Sequence, residues 1–186
     1  MKIPVCGFDP SFRNWGIASS ILDLETGVLD TPVLHLVKTA EEPKEKQVRV
    51  NSYDLEAAET LYKEILPIAQ KAKVIFVEVP HGSQSANSMK GYGVCIGILG
   101  AIRATGIPFV EVSESESKKV MTGKRTATKE EMISAASIWY PDADWPMHGG
   151  KITAGRAEHM ADAIAAIHAG VKTQQFQNLM RLFQAV

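Results

Sequence analysis

Two short apolar runs in this chain each end in a carboxylic acid. That repetition limits its possible folds more than any other feature. Ile3-Pro4-Val5-Cys6-Gly7-Phe8 runs into Asp9 and a Pro10-Ser11 turn, and Lys73-Val74-Ile75-Phe76-Val77 runs into Glu78. Short apolar runs bounded by turn residues read as buried strands. An acid at the end of a buried strand is costly unless something pairs with it or coordinates it. Taken alone, Asp9 reads equally well as the residue that caps its own turn.

The chain has 186 residues, enough for one domain with a full core. Its 20 basic and 21 acidic residues nearly cancel, so any nucleic-acid partner would have to be met by a local patch. Cys6 and Cys95 both lie in apolar runs without metal-ligand spacing, as small buried hydrophobes of a reduced chain do. No apolar span reaches membrane length, and a strand begins almost at once where a signal peptide would lie. These features predict a cytoplasmic protein.

Residues 3–8, 15–22 and 27–37 read as three strands joined by short turns, an antiparallel meander whose third member is interrupted at Pro32 and so suits an edge. Residues 38–49 are charged and aperiodic, which predicts a mobile loop. Asn51 or Ser52 can cap a helix to about Ala72, with a kink near Pro67. Residues 73–79 form a fourth strand, apolar on both faces. A second helix spans about 87–104. Gly93, Gly97 and Gly100 fall on one face of it, which predicts close approach by another backbone. Residues 108–112 form strand five. Ser113 and Thr128 each open a capping box, for a short helix and for a helix to about Trp139. Residues 140–153 read as loop, 155–169 as an alanine-rich helix, and 173–185 as an amphipathic tail.

If strand four pairs beside strand one, Asp9 and Glu78 sit side by side and cannot both stay ionised without a cation between them. On the late helix, Glu158, His159 and Asp162 are spaced three and four apart, so they share a face. Carboxylates with one imidazole favour Mg²⁺ or Mn²⁺. Two such ions roughly 4 Å apart activate a water and stabilise the leaving oxygen of a phosphodiester. Lys118, Lys119, Lys124, Arg125 and Lys129 crowd around Gly123, a patch suited to nucleic-acid phosphates.

With these motifs in hand, the chain resembles the RuvC Holliday-junction resolvases of the RNase H-like nuclease superfamily. Gly7-Phe8-Asp9-Pro10-Ser11 with Gly16 is similar to the family's opening motif, and Val77-Glu78 to its second acid. Gly123-Lys124-Arg125-Thr126-Ala127-Thr128-Lys129 is similar to its Gly-x-Gly-x-Ala-x-Lys segment, with Arg125 in place of a glycine. His159-Met160-Ala161-Asp162-Ala163 is similar to its closing motif.

The resemblance implies an α/β RNase H-like fold. Its five-stranded mixed sheet would have three antiparallel strands, then two parallel ones, with helices on both faces. One nuclease domain would cover 1–170, with 171–186 its helical tail. It also implies a metal-dependent endodeoxyribonuclease that nicks four-way junctions symmetrically as a homodimer, through the helix at 87–104. Asp9, Glu78, His159 and Asp162 would be catalytic and would hold two Mg²⁺ or Mn²⁺ ions. Lys118, Lys119, Lys124, Arg125 and Lys129 would meet DNA, as would His81, where the family often has an aromatic wedge, and Lys90. A relaxed nuclease for forks and flaps, or a silent relative that binds nucleic-acid structures, would keep much of the same sequence. Rossmann and P-loop readings fail on glycine spacing. An actin-like ATPase would need a longer chain.

Overall fold

The computed structural model describes residues 1–40, 50–82 and 85–184. Its elements in chain order are β1 (Lys2–Asp9), β2 (Asn14–Asp23), β3 (Val33–Lys38), α1 (Val50–Ala69), β4 (Val74–Glu78), α2 (Ala86–Arg103), β5 (Phe109–Val112), α3 (Glu114–Thr122), α4 (Lys129–Trp139), β6 (Met147–His148), β7 (Lys151–Ile152), α5 (Ala154–Val171) and α6 (Gln174–Gln184). The main sheet has the order β3-β2-β1-β4-β5. β1, β2 and β3 pair antiparallel, and β4 joins β1 and β5 in parallel register. This is the mixed sheet expected from the sequence.

Side chains alternate across the central strands. Val74 and Phe76 enter one core with α5, while Ile75 and Val77 enter a second core with α1 and α2. Both faces of the sheet are therefore covered, and the central strands read as continuous apolar runs. Phe76 is fully buried, which alone contributes roughly 1.5–3 kcal/mol. The tail helix α6 closes over the first core, with Phe176 packed on Phe76 at 5.2 Å between ring centroids.

Several local expectations shift. The third strand forms only beyond Pro32, and the segment before it contributes one isolated bridge, Leu22 to Leu29. Helix α1 begins at Val50, ahead of both Asn51 and Ser52. Most of the charged loop predicted at 38–49 lies outside the described residues. The stretch predicted as loop over 140–153 contains a hairpin, β6–β7, turning on Gly149 and Gly150 at φ 56° and 76°. Two-residue strands are too short to leave a periodic signal.

Gly93, Gly97 and Gly100 of α2 have open space where a Cβ would stand. No described part of the chain makes the close approach that their spacing predicted. Gly7 and Gly16, by contrast, are sites of real contact. A Cβ on Gly7 would lie 1.9 Å from the Ala163 carbonyl oxygen, and one on Gly16 would lie 2.1 Å from that of His159. The backbone of α5 rests directly on β1 and β2, and its buried alanines 157, 161, 163, 165 and 166 allow this.

Candidate active site

Asp9 and Glu78 are the last residues of β1 and β4, which run in parallel up to the Phe8–Val77 pair. The two carboxylates thus leave adjacent strands at the same edge of the sheet. The glycine contacts with α5 fix that helix across this edge. Its second turn brings His159 Nδ1 to 2.6 Å from Asp9 Oδ2. A carboxylate only accepts, so Nδ1 donates and Nε2 is left toward Glu158 Oε1, 3.5 Å away. Both side chains of the Asp9–His159 pair are largely shielded, at 16% and 18% exposure.

Charge at this edge is strongly unbalanced. Burial and the neighbouring charges of Asp9, Asp162 and Glu114 push the Glu78 carboxyl up to about 8. Asp162 is also raised, first by burial and then by Asp9, with His159 and Lys118 opposing. Burial pulls the His159 imidazole down, but its bond to Asp9 and the acidic surroundings outweigh that and leave it above its usual value. The buried Ser117, 1% exposed, lies beside Glu78 and favours its ionised form, though its hydroxyl makes no full hydrogen bond among the described residues.

The remaining sequence-predicted residues separate into groups. Lys118 pairs with Glu114 and Lys129 with Glu158 at 2.7 Å, so both are bound to acids at the rim of the cluster. Lys124 pairs with Glu131 at the start of α4. Lys119 and Arg125 line a separate cleft on the other flank of α3. His81 is exposed and walls a 240 Å³ cleft that also holds Asp9, Glu78, Glu114 and Tyr92. Lys90 pairs with Asp54 at 2.7 Å in the neighbouring cleft, whose wall includes Tyr92 as well. Tyr92, which the sequence offers with Lys90 as a further candidate early in α2, thus borders both clefts. Glu114 was legible only as an acid in the first turn of a capped helix, because its closeness to Glu78 depends on how β5 lies beside β4.

Among the described residues, no three His, Cys, Asp or Glu side chains are placed to hold one metal ion as they stand. The chemistry of the donor set nevertheless suits a divalent cation. It consists of hard carboxylate oxygens with one imidazole, and burial followed by the charge of Asp9 raises both the Glu78 and the Asp162 carboxyl, a strain that a cation would relieve.

The sheet order and the flanking helices define an α/β fold of the RNase H-like, RuvC type. No family model and no curated protein matches the sequence significantly. Solved structures do match. The T. thermophilus RuvC in complex with Holliday junction substrate aligns over 90% of this chain and 93% of that one, at 16% identity and a TM-score of 0.61. The Thermus thermophilus RuvC structure aligns over 97% and 96%, at 18% identity and a TM-score of 0.56.

Proposed function

We propose that this chain is a metal-dependent, structure-selective endodeoxyribonuclease that resolves four-way DNA junctions by paired symmetric nicks. The observation that supports this most is the convergence of Asp9, Glu78, His159 and Asp162, from two strand ends and one helix, at an edge short of positive charge. The similarity to a RuvC in complex with Holliday junction substrate supports the choice of substrate.

Asp9, Glu78 and Asp162 would hold the ions, with His159 beside them. The chemistry supplied by bound Mg²⁺ or Mn²⁺, two ions in this reading, is Lewis acidity toward the scissile phosphate and the attacking water. The protein's own part is to exclude bulk water, fix the carboxylates and handle protons. His159 is oriented by Asp9 through Nδ1, so Nε2 is the atom that would take up or align a proton of the attacking water. Lys118 and Lys129, tied to Glu114 and Glu158, would exchange those partners for phosphates when DNA enters.

Two symmetric nicks require a twofold dimer. Helix α2 offers a surface for it. Its glycine face is open and Ile96 is 48% exposed.

The test is cleavage of a labelled four-way junction, a fork and a linear duplex, with Mg²⁺ or Mn²⁺ and with chelator. Paired nicks confined to the junction support the proposal. Broad cutting of branched DNA would replace it with the relaxed nuclease, a reading favoured by His81, a small ring for wedging open a junction centre. Tight binding without cutting at any metal concentration would leave only a silent binding relative.

A further inference from the structure

The basic residues around Gly123 form two populations. Lys118, Lys124 and Lys129 are each neutralised by a carboxylate, from Glu114, Glu131 and Glu158 respectively. Lys119 and Arg125 have no such partner within 4.0 Å among the described residues, and neither does Lys172, just beyond the end of α5. These three exposed cations line one cleft of 400 Å³, between α3 and the C-terminal end of α5.

Among the described residues, one carboxylate, Glu116, lines the same cleft. It is committed to the α3 capping box, where its Oε2 accepts from the Ser113 backbone N–H and hydroxyl at 2.8 Å each. The carbonyls at the end of α5 are satisfied too. The Ala169 and Gly170 oxygens accept from the Lys172 and Thr173 N–H groups at 3.0 Å, and Gly170 also accepts from the Thr173 hydroxyl at 2.7 Å. Bare carbonyls would repel an anion; these are capped. The cleft therefore holds three cations against one anchored carboxylate, which the Arg125 charge reaches, and so keeps a net positive charge.

We propose that the Lys119–Arg125–Lys172 cleft is a phosphate-binding site, separate from the acidic edge and serving the same nucleic acid at a distance. Asp162, on α5, and Lys172, its C-cap, are ten residues apart, about 15 Å along the helix axis. Lys118, on the acidic side of α3, is the sequence neighbour of Lys119. A strand leaving the acidic edge would cross α3 over Lys118 and meet the cleft a few phosphates further on. This inference rests on the nuclease reading for the identity of the ligand, but not for its chemistry, which is phosphate.

The test uses the full chain and the triple variant Lys119→Ala/Arg125→Ala/Lys172→Ala in two measurements. In the first, binding to a four-way junction is followed against salt concentration in chelator. Loss of these contacts should weaken binding about tenfold or more and lower the salt slope by about 2 to 3. In the second, thermal stabilisation by inorganic phosphate is compared between the two proteins. A change in the first identifies the phosphates as those of nucleic acid. A change in the second alone makes the site one for free phosphate or a phosphorylated small molecule. If neither changes, the proposal is overturned. A wild-type chain that binds no DNA but loses its phosphate response in the variant overturns the nuclease reading and leaves the cleft assigned. Lys172→Glu alone, at an exposed position just past the end of α5, gives the same readouts should the triple variant prove unstable.

Discussion

Asp9 is the residue that every other member of the acidic edge refers to. It bonds His159, and its charge raises both Glu78 and Asp162. Asp9→Asn keeps the shape and removes the charge, so junction cleavage should fall at least about 100-fold, while binding in chelator stays within about twofold of wild type. A gel assay of both quantities checks this, and normal cutting by the variant would refute the site. Ser117 makes an opposite kind of prediction. Its buried hydroxyl makes no full hydrogen bond among the described residues, so Ser117→Ala should leave stability unchanged or raise it by up to about 1 kcal/mol, measured by urea unfolding without metal.

His168 gives a pH dependence. Burial, with help from Lys172, lowers it to about 4, and its Nε2 lies 2.7 Å from the Tyr140 hydroxyl oxygen. The unfolded chain takes up this proton near pH 6.5 and the folded chain only near 4. The contribution of His168 is therefore intact above pH 6.5 and lost as pH falls toward 4, by up to about 3 kcal/mol. Urea midpoints across that window should slope less steeply in His168→Phe than in wild type.

Among the elements, α5 matters most because it joins the sheet to the site. Its backbone lies against Gly7 and Gly16, so the position of His159 and Asp162 depends on two missing side chains on other strands. In Gly16→Ala the new methyl would meet the His159 carbonyl, and the helix would have to lift. The expected cost is about 3 kcal/mol or more in urea unfolding, with loss of cleavage even where the fold survives. Those glycines were visible as part of a sequence motif, but the reason for them lies in a contact about 150 residues away along the chain. The capping boxes at Ser113 and Thr128 were fully legible, since their donors and acceptors sit within three residues of one another. The β6–β7 hairpin was not, because its strands are too short to show a period.

At the scale of the whole molecule, the proposed paired nicks would need two acidic edges, one from each of two copies. The outward glycine face of α2 is the feature that would let a second copy approach backbone to backbone. Gly97→Glu should shift sedimentation from dimer to monomer and turn paired nicks into single ones, while thermal stability changes little because the position is open in the single chain. A dimer unchanged by that substitution would remove α2 from the interface.

The sequence by itself determined the five strands of the main sheet, the two capping boxes and the acids at two strand ends, because each is written in neighbouring residues as apolar period, turn chemistry or cap. Only the tertiary structure decided which charges meet. Lys118 and Lys129 fell among acids, whereas Lys119 and Arg125 joined Lys172 on another flank. Consecutive helical residues point about 100° apart, so a basic run divides according to what packs around its helix. Pairing of charges depends on distance in space, which local sequence does not encode.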